Sequence, residues 1–124
     1  MQPLFSADPE PIPVASIEGV PTSGTLFVRP MLNGDRIAML EIRMARGARS
    51  QGHAHTHESL LYVISGSLRT TIGDHTMVVR QGEACRHPEN MVHSVEALED
   101  TVFLEVKAPP PELLATLGIS KVKR

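Results

Sequence analysis

The chain has 124 residues, 41% of them hydrophobic, and a formal charge of -2, which suits one domain with one modest core and offers no basic surface to nucleic acid or anionic lipid. No apolar run approaches the roughly 20 residues of a membrane span, and the N-terminus lacks the basic-then-apolar order of a secretion signal, so no membrane partner is expected and the cytoplasm is the expected location. Cys85 is the single cysteine and excludes an intrachain disulfide, whereas six histidines, three of them at His53, His55 and His57, are the one compositional anomaly.

Residues 1–24 contain Pro3, Pro9, Pro11, Pro13 and Pro21, which remove backbone donors and fix φ, so neither an interior strand nor a long helix fits there. An extended arm lying on the body or on a partner subunit is expected, followed by a folded unit over 25–124. From residue 25 onward the texture changes to short β-type runs, at 25–29, 36–44, 60–64, 68–72, 76–79, 92–95 and 101–106. The breaks between them, Asn33-Gly34-Asp35, Gly47, Ser65-Gly66-Ser67, Gly73-Asp74 and Gln81-Gly82, are turn formers. Regular short strands with such turns predict an all-β antiparallel sandwich or barrel, and no amphipathic helical window separates the strands as a βαβ fold would require. Only 110–117 reads as helical, with Pro110 and Pro111 early and Leu113, Leu114 and Leu117 in an apolar stripe before Gly118.

In an extended strand, residues two apart face the same side about 6.5 Å apart, so the imidazoles of His53 and His55 can converge on one ion. Neutral imidazole nitrogen binds most first-row divalent metals. The wider pattern resembles the two signature motifs of the cupin superfamily. Gly47 is followed by five residues, then His53-Ala54-His55, and a closing glycine at Gly66; Ser59 stands where the family has glutamate or glutamine. In the second motif Gly82 is followed by five residues, then Pro88-Glu89-Asn90, two residues and His93, with Asn90 at a family glycine and Ala97 at a family asparagine. Asparagine is an understandable exchange there, since it tolerates positive φ. The resemblance runs over 47–97 and implies a double-stranded β-helix, the cupin or jelly-roll barrel. It also places His53, His55 and His93 on three of four metal-ligand positions, around one divalent ion, with zinc, manganese, iron and nickel all admissible.

A serine hydroxyl is a poor ligand, so a water, a substrate oxygen or His57 is expected at the fourth position. His57 shares the parity of His53 and His55 if the strand stays regular and is otherwise a surface or interface histidine. Glu58 should face away from the ion. Cys85 and His87, two apart before Pro88, could face the cavity. The run from His93 to Asp100, the later Pro109-Pro110 and the stretch from His53 to Glu58 are similar to bacterial pectin-degradation cupins, which convert cyclic unsaturated uronates to linear keto acids. That resemblance puts Glu105 at the position of a proton-moving carboxylate, while Lys107 replaces an aromatic residue and Pro111 an arginine. Glu105 also reads as an outward carboxylate alternating with Val102, Leu104 and Val106.

The expected function is metal-dependent binding of a small oxygen-rich acid or carbonyl compound, with isomerisation, ring opening or related proton transfer. The alternatives are a non-catalytic ligand-binding or sensing module and a three-histidine iron dioxygenase. The resemblance further implies a homodimer.

Overall fold

A computed structural model describes residues 4–6 and 8–112, which contain twelve strands and no helix. In chain order these are β1 (Ile12–Pro13), β2 (Ser16–Ile17), β3 (Val20–Pro21), β4 (Leu26–Asn33), β5 (Ala38–Met44) and β6 (Arg49–His53). They continue with β7 (Glu58–Ser65), β8 (Ser67–Ile72), β9 (His75–Arg80), β10 (Ala84–His87), β11 (His93–Ala97) and β12 (Thr101–Ala108). One sheet has the order β1-β4-β5-β12-β7-β10 and the other β6-β11-β8-β9, while β2 and β3 form a separate hairpin. Every pairing is antiparallel. The predicted all-β barrel is therefore the observed architecture, with all seven expected strands present.

β6 and β10 were not expected. Their sequences, Arg-Ser-Gln-Gly-His and Ala-Cys-Arg-His, lack a β-branched run, and pairing with β11 and β7 decides their conformation. The proline-rich stretch supplies β1 to the edge of the large sheet and the β2–β3 hairpin, placing Pro13 and Pro21 where a missing N–H is tolerated. Of the helix expected over 110–117, residues 113–117 lie outside the described residues, and 110–112 have no regular structure.

The core fills the space between the two sheets. In β5, Ala38, Leu40, Ile42 and Met44 point inward and alternate with Met39, Glu41 and Arg43. Leu40, Leu61 and Leu68 are almost wholly buried, and each such side chain contributes roughly 1.5–3 kcal/mol. The inward columns change character along their length. On β12 they run Thr101, Phe103, Glu105, Lys107; on β7, Val63, Leu61, Ser59; on β11, Ala97, Val95, His93. One end of the barrel interior is thus hydrocarbon and the other polar.

Two local features fix that polar end. β11 pairs His93 with His53 and Val95 with Ser50, so Gln51 and Gly52 of β6 lie opposite the single residue Ser94. This bulge resets the alternation, and Ser50 and His53 are both buried although three positions apart. At the β7–β8 turn Gly66 has φ of +90°, and a side chain there would collide with the Asp100 carbonyl and Thr101. Only glycine closes that turn without strain.

Candidate metal centre

His53 ends β6, His93 begins β11 directly opposite it, and His55 follows in the loop to β7. The ring centroids of His53 lie 4.4 Å from those of His93 and 4.7 Å from those of His55, with 5.1 Å between His55 and His93. One nitrogen from each ring lies within 4.8 Å of the other two. Four-coordinate ligand nitrogens about 2.1 Å from an ion would be roughly 3.4 Å apart, so a small inward movement of the rings brings them to bonding distance. Among the described residues these three buried histidines form the one group with metal-ligand spacing.

The opposite ring nitrogens show that the donor set fits a metal. Nδ1–H of His53 donates to the Gln51 carbonyl at 2.7 Å, that of His93 to the Met91 carbonyl at 3.2 Å, and that of His55 to the Glu18 carboxylate at 2.8 Å. With Nδ1 protonated on each ring, all three Nε2 atoms keep their lone pairs, and the partners fix ring orientation as outer partners of metal-bound histidine do. Asn90, with φ of +60°, donates its N–H to the His55 carbonyl at 2.7 Å, so the family glycine position keeps its left-handed turn and steadies the loop.

His57 is buried, which removes its reading as a surface residue. The chain bends at residues 56–57, and its ring stacks on His55 at 4.2 Å while its Nε2 meets Lys107 Nζ at 3.2 Å. Lys107 also donates to Ser59 Oγ at 2.9 Å and Glu105 Oε2 at 3.1 Å. Three acceptors match the three N–H groups of an ammonium. Glu105 points inward, not outward with Val102, Leu104 and Val106, and lines the cavity beside the histidines. Glu58 faces away and is paired with Arg86 at 3.1 Å. His87 is buried, stacks on His93 at 4.1 Å and lies 2.9 Å from Thr70 Oγ1. Cys85 is partly buried with Sγ 3.9 Å from His87 Nε2.

Burial is the main force on every titratable group here. It lowers His57 and His87 to about 4 and His93 to about 3, and moves His53 and His55 down as well; Lys107 adds to the effect at His57 and His55, and His87 at His93. The imidazoles are therefore neutral at pH 7, the form that binds metal. Burial would push Glu105 up, but Lys107, helped by His87 and His93, holds its carboxyl below the usual range. Burial raises the Cys85 thiol to about 11, which makes it unreactive.

Beneath the histidines is a cavity of about 50 Å³. Its polar wall is His53, His55, His87 and His93 with Glu105 and Lys107, and Val14 and Ile17 from the N-terminal segment help close it. No sequence signal points to Glu18, which is 37 residues from His55. Lys107 had a usable signal: it is two residues from Glu105 on one strand and so shares its face.

Residues 40–107, more than half of the chain and including all three histidines, match the family model described as the cupin domain. No curated protein sequence matches. The fold is similar to that of the polyketide cyclase RemF from Streptomyces resistomycificus, with a TM-score of 0.72 and 22% identity over 90% of this chain and 82% of that one. It is similar also to KdgF from Halomonas sp., at 0.67 and 20% over 70% of this chain and 81% of that one. A predicted oxalate decarboxylase from Thermotoga maritima gives 0.73 and 17% over 85% and 96%. At these identities the likeness concerns the fold, and the family follows from the sequence match: the chain belongs to the cupin family.

Proposed function

We propose that this cupin holds one divalent metal ion at His53, His55 and His93, binds a small oxygen-rich acid or carbonyl compound beside it, and catalyses isomerisation, ring opening or a related proton transfer. The observation that carries the reading is the convergence of three neutral, buried imidazoles, each oriented through Nδ1 by a separate acceptor. A metal bound there would supply Lewis acidity, polarising a carbonyl or gripping a carboxylate. The structural neighbours include a polyketide cyclase and a predicted oxalate decarboxylase, which support small-molecule chemistry in this fold.

Glu105 is the group to move a proton. It is ionised, sheltered from bulk water and faces the same cavity as the triad. Lys107 holds it in place and takes the Ser59 hydroxyl and the His57 Nε2 as its other acceptors. We therefore assign His57 to this lysine network, although its ring stacks on His55 within the site. The half-exposed Leu60, Tyr62 and Ile64 on the outer face of β7 support pairing with a second copy, and we place the protein as a homodimer in the cytoplasm.

Elemental analysis of freshly purified protein tests the metal site. About one equivalent of a first-row divalent ion is expected, lost when His53, His55 and His93 are all replaced by Ala. Metal content unchanged by that triple replacement refutes the assignment. Metal-restored conversion of a keto acid, abolished in Glu105→Gln, would then establish the carboxylate's role.

A further inference from the structure

The two ends of the cavity ask for different parts of a ligand. The end at the histidines carries Lys107 and Glu105 of β12, while further along the barrel the lining is hydrocarbon, with Phe103 of β12 beside Ile42 of β5 and with Val14, Leu26 and Met44. Among the described residues, the one polar side chain in the lining besides the histidines, Lys107 and Glu105 is Ser50, and its Oγ accepts the Val95 N–H at 3.0 Å. A polyhydroxylated ring would press its hydroxyls against methyl groups, and each hydroxyl left without a partner weakens binding by roughly tenfold or more. The volume of about 50 Å³ is small as well, space for about four water-sized groups.

Lys107 supplies a site for an anionic head. Of its three acceptors, the ring nitrogen of His57 is the most distant, at 3.2 Å, and the only nitrogen. A ligand carboxylate is the stronger, charge-assisted acceptor and can take that N–H while the bonds to Ser59 and Glu105 remain. Three neutral imidazoles would leave a bound ion its full charge and at least one position for a ligand oxygen, with Lys107 beside it for a second.

Given the metal site inferred above, we propose that the ligand is a short aliphatic monocarboxylate with an oxo or hydroxy group on the carbon next to the carboxylate, its head at the histidines and Lys107 and its hydrocarbon chain toward the apolar end of the cavity, and that it is not a sugar acid. Lys107 is then the specificity-determining residue.

The test uses the full-length protein loaded with Co(II), whose visible spectrum reports ligands at the ion. Pyruvate, 2-oxobutyrate, butyrate and glucuronate are titrated in turn. The expected result is saturable spectral change with 2-oxobutyrate at a concentration at least about tenfold below that for glucuronate or butyrate, and about fourfold tighter binding than pyruvate for the added methylene. The paired variant Lys107→Met/Glu105→Gln should keep one Co(II) and lose about tenfold in 2-oxobutyrate affinity. Glucuronate binding as tightly as 2-oxobutyrate, no gain from pyruvate to 2-oxobutyrate, or undiminished affinity in the paired variant overturns the ligand class and leaves the metal site standing. Co(II) binding that survives replacement of all three histidines by Ala overturns the metal site, and the ligand class with it.

Discussion

Replacing Lys107 by Met removes a cation while keeping the length of the side chain, and its effect follows from what Lys107 touches. The side chains of Lys107 and Glu105 are only 4% and 14% exposed, and their charged atoms lie 3.1 Å apart. Breaking a buried pair on one side leaves the other charge without compensation, a loss of about 3–5 kcal/mol. For a domain of this size that corresponds to a fall in Tm of roughly 12–20 °C. The double variant Lys107→Met/Glu105→Gln removes both charges and should recover most of the loss, to within about 1.5 kcal/mol of the parent. Urea denaturation of the metal-free proteins at pH 7.5 measures both. The pH dependence supplies a sign. In the parent, the folded pKa of Glu105 lies below its usual 4.5, so its contribution is complete above that pH and lost as the pH falls through the folded value. Without Lys107, burial, the largest influence, outweighs the remaining pull of His87 and His93 and raises the carboxyl, so the deficit of the single variant should shrink between pH 7.5 and pH 5 as Glu105 takes up a proton. A single variant within about 1 kcal/mol of the parent, or a double variant as unstable as the single one, would refute the claim that this pair is a compensated buried charge.

Alanine at His93 alone should reduce bound metal by at least about tenfold without changing the far-ultraviolet circular dichroism, as read by elemental analysis of dialysed protein. Replacing Glu18 with Ala should weaken metal binding by roughly 10–100-fold, with Gln retaining more than Ala because it can still accept the His55 Nδ1–H; competition with a chromogenic chelator measures it. The metal-free protein should lose stability as the pH falls below 6.5, because His57, His87 and His93 titrate in the folded state only near 4, 4 and 3, whereas the unfolded chain takes up protons from 6.5 downward. Each ring then contributes a slope of up to about 1.4 kcal/mol per pH unit, and urea midpoints that stay flat from pH 7.5 to pH 5 would contradict neutral burial. Gly66→Ala should destabilise by about 1–3 kcal/mol through its φ of +90° and the contact with Asp100 and Thr101, seen as a lowered Tm.

The parts of this fold that could be read in the sequence were those governed by simple alternation and by glycine turns. Residues 38–44 alternate in composition and in burial, and Gly66 and Gly73 close turns at positive φ. The histidine triad was legible because the family spacing of the motifs survives although Ser59, Asn90 and Ala97 depart from it. Strand alternation is only half of the physical reason that His53 and His55 converge: His53 faces the cavity because a bulge at Gln51 and Gly52 shifts the parity of β6, and His55 lies beyond the strand's end. A bulge leaves no mark that composition reveals. Glu18 could not be found, since nothing local links a turn in the proline-rich segment to a ring 37 residues away.

The hardest element to read was β12, where hydrophobicity alone points to the wrong face. Val102, Leu104 and Val106 form the more apolar column, yet they share the outer face of the large sheet with Leu60, Tyr62 and Ile64, half-exposed on β7. The inner column carries a carboxylate and an amine. Burying those two groups separately would cost far more than exposing three aliphatic side chains. Burying them together, with a hydroxyl and an imidazole completing the lysine's hydrogen bonds, removes most of that penalty. The choice of face on β12 thus depends on Ser59 and His57, 48 and 50 residues earlier in the chain. A strand whose apolar side faces out is accordingly a sign that its polar side has partners inside, and in this barrel those partners stand next to His55, one of the three histidines proposed to hold a metal.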